Sequence, residues 1–191
     1  MKGYLIVTKK NMSKLISILR GINVGGKRKV LMADLRSLYE ELGFKNPQTY
    51  IQSGNVIFEN ASKKKTTAIE LMIHQAIHKK YDFEVPVIVR TVKEIADAYN
   101  NNPFAIEDTP IEHLHLTFLK EVPTAENLEK INTYDYAPDK FEIIEKDAYI
   151  YCEGKYHKSK LTNNFFEKKL KVAATTRNWK TVKKLLELSA G

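Results

Sequence analysis

The stretch Leu19-Arg20-Gly21-Ile22-Asn23-Val24-Gly25-Gly26-Lys27 has the residue types of an anion site. Glycine lets backbone N–H groups approach a ligand closely, and a following helix N-terminus adds partial positive charge. An apolar run at residues 15–19 leads into the loop, and a helix with apolar spacing begins near Leu31. Arg20, Asn23, the Gly25-Gly26 backbone and Lys27 are therefore the expected ligands of a phosphate or carboxylate. Nucleotide hydrolysis does not follow, because Arg28 stands where a P-loop places Ser or Thr on magnesium and G-x-G-x-x-G is absent. The competing reading is a tight strand–helix connection that carries surface charge.

Three further groups carry candidate chemistry. Gln52-Ser53-Gly54-Asn55 could bring Gln52, Ser53 and Asn55 to the same ligand, or be ordinary turn chemistry. In Ala174-Thr175-Thr176-Arg177-Asn178-Trp179, the residues Thr175, Thr176 and Asn178 can each cap the last helix. Arg177 would then oppose the helix dipole, which leads us to expect an anion or acidic partner beside it, with Asn178 helping to close the site. Trp179, with Val182 and Leu186 at i+3 and i+7, reads as core. Ser159 and Lys160 could act as nucleophile and base or as anion ligands, and a surface loop capping the next helix accounts for them as well.

No Ser–His–Asp set or carboxylate pair stands out, so the sequence assigns no catalytic residue and leaves any cofactor unknown. His113 and His115 share one face of the strand expected at 113–119, spacing that could supply two metal ligands, but zinc needs three or four and no Asp, Glu or Cys is paired with them. We assign no metal. Cys152 is the single cysteine, which rules out an internal disulfide and fits a buried thiol in a reducing cytoplasm.

Composition narrows the class. Of 191 residues, 43% are hydrophobic and 28% charged, ordinary for a globular protein large enough to bury a core. No apolar run reaches the ~20 residues of a membrane helix. Residues 1–12 read as an N-terminal extension: Tyr4-Leu5-Ile6-Val7 is too short for a signal-peptide core, and the segment is read either as an extra edge strand or as lying upstream of an alternative start at Met12. The net charge of +8 invites a nucleic-acid reading, yet only five of the 31 basic residues are arginine (Arg20, Arg28, Arg36, Arg90, Arg177). Dispersed lysine supports that reading weakly, since arginine is the better phosphate fork.

The elements that must position these residues alternate along the chain. Residues 15–19 form a strand; Leu31, Leu35, Leu38 and Leu42 mark one face of a helix stopped by Gly43; residues 49–52 and 56–59 form a hairpin. Thr67-Ala68-Ile69-Glu70 has the form of a capping box, opening a helix that buries Ile69, Met72, Ile73, Ala76 and Ile77. Residues 85–89 return as a strand. This β-α-β-β-α-β order predicts an α+β, ferredoxin-like half with an antiparallel sheet over residues 13–102.

A second capping box, Thr91-Val92-Lys93-Glu94, opens a short helix before the Asn/Pro-rich boundary. Residues 103–191 then read as a related, incomplete α/β half: a strand at 113–119, a helix at 124–131 and a hairpin at 141–145 and 148–152. Two basic helices, 162–170 and 178–188, end it where a strand would complete the copy. No residue-level repeat is evident between the halves.

Three motifs agree in order and spacing: Leu19-Arg20-Gly21-Ile22-Asn23-Val24-Gly25-Gly26, Tyr50-Ile51-Gln52-Ser53-Gly54-Asn55-Val56, and Thr176-Arg177-Asn178-Trp179 with Thr181 and Val182. In these the chain resembles the bacterial DUF1697 family, a domain of unknown function, over about residues 13–188. The resemblance implies a cytosolic α/β protein with ferredoxin-like halves and implies no activity.

The leading expectation is a protein that binds, and could turn over, a small anionic ligand at the glycine loop. A nucleic-acid-binding protein is the alternative, using an open sheet face with Lys168, Lys169, Lys171, Lys180, Lys183 and Lys184. Strand residues 15–19 and 85–89 lack the aromatics that RNA-binding sheets of this kind display. A structural or protein-interaction domain is the third reading. Whether Arg20, Lys27, Gln52, Asn55, Arg177 and Asn178 meet in one cleft separates these.

Overall fold

In strand β1 (Ser13–Leu19) five consecutive residues, Leu15 to Leu19, are buried. Side chains alternate across a strand, so such a run requires cover on both faces of the sheet. A computed structural model, which describes residues 12–190, shows what supplies it. Leu15 and Leu19 enter one core with Leu35, Leu38 and Tyr39 of helix α1 (Met32–Glu41) and Ile69, Ile73 and Ile77 of α2 (Thr66–Tyr81). Ile16 and Ile18 enter another, facing helix α3 (Val92–Asn100).

With β2 (Lys45–Tyr50), β3 (Asn55–Asn60) and β4 (Val87–Thr91), β1 forms an antiparallel sheet of order β2-β3-β1-β4. The remaining elements are β5 (Leu114–Leu119), α4 (Ala125–Asn132), β6 (Lys140–Ile144), β7 (Asp147–Tyr151), α5 (Asn163–Leu170), β8 (Ala174–Asn178) and α6 (Trp179–Ser189). Their antiparallel sheet has order β6-β7-β5-β8, the same arrangement again. The α+β reading with two related halves is correct, and the second copy is more complete than its sequence suggests. Ala174–Asn178, read from sequence as the caps of a helix, is the missing strand.

Residues pair off between the halves. Gly54 accepts from the Leu19 amide at 2.8 Å as Lys146 does from Leu119 at 2.8 Å, and Pro86 accepts from Arg20 as Ala173 does from Lys120. The cross-strand registers Ile16↔Arg90 and Leu116↔Arg177 then make Arg90 and Arg177 equivalents. Each arginine precedes the N-cap of the next helix: Thr91 with its capping box to Glu94, and Asn178, whose side chain accepts from the Thr181 amide. Arg90-Thr91-Val92-Lys93-Glu94-Ile95 and Arg177-Asn178-Trp179-Lys180-Thr181-Val182 are thus a residue-level repeat.

The halves pack through α3 and α6, which lie between the two sheets. Their shared core joins Ile16, Ile18, Ile57 and Ile88 of one sheet to Leu114, Leu116, Phe118 and Tyr149 of the other. Trp179 is in it, stacked on Tyr99 at 5.1 Å between ring centres, as its spacing predicts. Helices α4 and α5 cover the far face of the second sheet, where Cys152 is buried. Each sheet is covered on both faces, so the open face needed for nucleic acid is taken up by protein. Among the lysines of that reading, Lys169 lies over the Tyr134 ring at 3.5 Å and Lys184 pairs with Glu187.

Two local expectations change. Glu70 does not close a capping box: α2 begins at Thr66 behind Lys65 without a side-chain cap, and the Glu70 carboxylate accepts from the Val89 amide of β4 at 2.9 Å. His113 precedes β5 in a 3₁₀ turn, with its ring against Tyr151, while His115 stacks on Tyr156. Of the extension, residues 1–11 lie outside the described residues. No helix among the described residues is long and apolar enough to cross a membrane.

Candidate functional site

The glycine loop is a small hairpin. The Lys27 amide donates to Val24 O at 3.1 Å and the Asn23 amide to Arg28 O at 3.1 Å. Gly25 and Gly26 form its tip with φ of +57° and +74°. Positive φ at both central residues is what a type I′ two-residue hairpin turn requires, and it explains both glycines. Asn23 ties the loop down: its Oδ1 accepts from the Val30 amide, and its Nδ2 donates to Val30 O and to Gln52 O at 3.0 Å. Lys27, Arg28 and Lys29 remain exposed. Between this hairpin and the start of α1 lies a cleft of about 310 Å³, lined by Asn23, Gly26, Lys29, Leu31, Met32 and Gln52 among others. The N-cap of α1 is Leu31, an apolar residue that leaves the first-turn amides without a side-chain partner.

Arg177 does not line this cleft, and its guanidinium is fully engaged by the neighbouring hairpin. It sits in β8 on the face toward the first half, 9% exposed. Its Nε donates to Asn55 Oδ1 at 2.6 Å, Nη2 to Leu19 O at 2.7 Å and Ser53 O at 2.9 Å, and Nη1 to Thr176 O at 3.0 Å. Asn55 completes the knot by donating to Tyr50 O and Ser53 Oγ. Burial without a counter-ion brings the guanidinium pKa down to about 10, so it stays charged at neutral pH. The sequence places an anion beside Arg177; the structure places carbonyl oxygens there. Gly54 belongs to this knot: a Cβ on it would stand 2.7 Å from Leu19 Cβ and 2.8 Å from Ile22 Cδ1, at φ +81°.

Arg20 crosses the junction in the opposite sense, from the end of β1 to α5. Its Nη1 pairs with Glu167 Oε1 and its Nη2 donates to Asn164 Oδ1 at 2.6 Å. Glu167 Oε1 also accepts from the Ala174 amide of β8. Asn178 caps α6. Ser159 donates to Asp139 at 2.6 Å and accepts from the Leu161 amide, and Lys160 is exposed beside it.

Two groups therefore emerge from the sequence-derived set. Asn23, Gly26 and Gln52, with Gly25 and Lys27 at the adjoining tip, belong to the glycine-loop cleft. Arg20, Ser53, Asn55 and Arg177 knit the two halves together, with Asn178 next to them in sequence as a helix cap.

Arg90, the counterpart of Arg177, was not singled out. It is 3% exposed, and its Nη2 donates to Leu119 O at 2.5 Å and Lys146 O at 3.4 Å, reaching into the second half. Asp147 takes the place of Asn55 there, with Oδ1 buried and unbonded. Burial raises its carboxyl from 3.8 to about 6 despite the Arg90 and Lys146 charges nearby. The shared pattern of Arg, cap residue, apolar residue and Lys at both strand–helix junctions is the signal that would have found Arg90.

The architecture is that of a duplicated, ferredoxin-like α+β protein whose two sheets enclose a pair of helices. The chain belongs to the family described as "Protein of unknown function (DUF1697)", whose model matches residues 12–149. The matched stretch holds the first two motifs and ends before the third. A solved structure, "conserved bacterial protein SP0830 from Streptococcus pneumoniae", is similar with a TM-score of 0.74 at 23% identity, over 93% of this chain and 98% of that one. That likeness concerns the fold. The curated proteins offer no match.

Proposed function

We propose that this protein binds a small anionic ligand in the cleft between the glycine hairpin and the N-terminus of α1. The observation that carries the reading is the uncapped first turn of α1, behind Leu31, forming one wall of a cleft that also contains Lys29 and Gln52. Free amides and the helix dipole favour negative charge at that point, and a lysine at the rim adds to it. Gly25 and Gly26 shape the hairpin that forms the opposite wall. Arg20 and Arg177, occupied by protein groups, are not part of this site. Cytoplasmic residence belongs to the same proposal, supported by the single buried thiol, Cys152.

Titration calorimetry with inorganic phosphate and with short dicarboxylates tests it. Saturable binding should weaken about tenfold in Lys29→Ala with an unchanged melting temperature. Absence of binding across the panel, or equal affinity in Lys29→Ala, would refute the proposal.

A further inference from the structure

A second cleft, of about 290 Å³, lies on the other side of the molecule where α2 and β4 meet the second half. Its lining includes Glu70, His74 and Glu84 from the first half and Lys120 from the second, on apolar walls of Leu71, Pro86 and Val87. Glu70 is 3% exposed. Its Oε1 accepts from the Val89 amide, but its Oε2 is buried with no hydrogen-bond partner. A buried carboxylate oxygen without a donor is costly, and burial accordingly pushes the Glu70 carboxyl pKa up.

The internal repeat shows what completes such a carboxylate. Glu167 holds the matching position on α5, accepting from a β8 amide as Glu70 accepts from a β4 amide, two residues further along its strand. There Arg20, one residue past β1, reaches across and sets its guanidinium on Glu167 Oε1, the oxygen that also takes the Ala174 amide. Lys120 is the residue one past β5. It is exposed, and its charge, with those of Arg90 and Lys146, acts on Glu70 from a distance, without a hydrogen bond or ion pair. One junction thus pairs its carboxylate with a cation, and the other leaves Glu70, on the lining of the cleft, with one buried oxygen unpartnered.

The geometry points to this cleft as a binding site for a small alkylguanidinium or alkylammonium ligand, its cationic head on the Glu70 carboxylate. The aliphatic stem would lie on Leu71, Pro86 and Val87. Glu84, held by His74 at 2.7 Å, stands at the mouth as a second acceptor. An acceptor-rich, apolar-walled pocket discriminates by charge-assisted hydrogen bonds at its head and by stem length in its body.

The test is a titration of the full chain with n-butylguanidine, followed by the ¹⁵N–¹H signal of Val89, whose amide donates to Glu70. An arginine tripeptide with blocked ends runs in parallel. A saturable Val89 shift with butylguanidine, weakened at least tenfold in Glu70→Gln and in Leu71→Trp, is the expected result. Leu71→Trp narrows the pocket from an exposed position and keeps the carboxylate, so it decides the matter if Glu70→Gln fails to fold. Response to butylguanidine alone supports a free small ligand; response to both extends the site to arginine side chains. No saturable shift, or an equal one in both variants, would overturn the assignment. Binding seen only in Lys120→Ala would overturn it too, because the lysine would then close the cleft as Arg20 closes the other.

Discussion

The two junctions between the halves are copies of one design, and they differ in how completely they are filled. On one side Arg177 makes four hydrogen bonds of 3.0 Å or less, Asn55 accepts its Nε, and Arg20 reaches Glu167. On the other, Arg90 makes one short bond to Leu119 O, Asp147 replaces Asn55, and Lys120 leaves Glu70 Oε2 unpartnered. Clefts of about 290 and 350 Å³ lie on this second side, lined by Glu70 and by Arg90 with Asp147 respectively. Duplication supplied the same backbone acceptors twice, at Leu19 with Gly54 and at Leu119 with Lys146. One copy is sealed by side chains, and the other leaves Glu70 Oε2 and Asp147 Oδ1 buried without partners.

The largest expected effect comes from the sealed side. Arg177→Met should cost about 3–4 kcal/mol, because Leu19 O, Ser53 O and Asn55 Oδ1 lose a charged donor inside the protein. Arg90→Met should cost about half as much, since its clasp has fewer bonds and an adjoining cleft that admits water. Urea denaturation of the two variants checks the ratio, and equal losses would remove the contrast between the junctions.

Asp147→Asn sharpens the contrast in the opposite direction by copying Asn55 into the open side. The Asp147 pKa rises from 3.8 to about 6 on folding, so between those values the folded protein holds a proton that the unfolded chain has released. Stability therefore falls as pH rises through this window and stays lower above it. The asparagine variant should be more stable than the parent by about 2 kcal/mol at pH 8, with the gain vanishing near pH 4. Denaturation at the two pH values measures it, and a gain independent of pH would contradict the assignment to Asp147. Arg20→Ala gives the smallest change, about 1 kcal/mol, because Arg20 and Glu167 retain 21% and 28% side-chain exposure.

Much of the first half was legible in the sequence because its signals are local. Leucine spacing marked α1, the Thr91–Glu94 box marked α3, and the polar Ser53-Gly54-Asn55 turn marked the hairpin. Strand β8 was hidden because Thr175, Thr176, Arg177 and Asn178 have the composition of a cap. Their alternation has meaning only once Arg177 faces the first half and Thr176 faces α5, where it donates to Asn163 at 2.6 Å. Arg177 stands out in the sequence as a cation at a helix start, but its partners are carbonyl groups distant in sequence. Glu70 misled in the same way: a capping-box spacing was present, and a strand amide from β4 took the carboxylate instead. The glycine loop was placed correctly, and the positive φ of its tip accounts for its glycines.

The most direct measurement is hydrogen exchange at the two arginine Nε–H groups, read by NMR on the intact chain. Arg177 Nε–H, bonded to Asn55 inside the sealed junction, should exchange far more slowly than Arg90 Nε–H, and its signal should not move when phosphate is added. Fast exchange at Arg177, or a phosphate-dependent shift there, would contradict its role as the clasp between the halves.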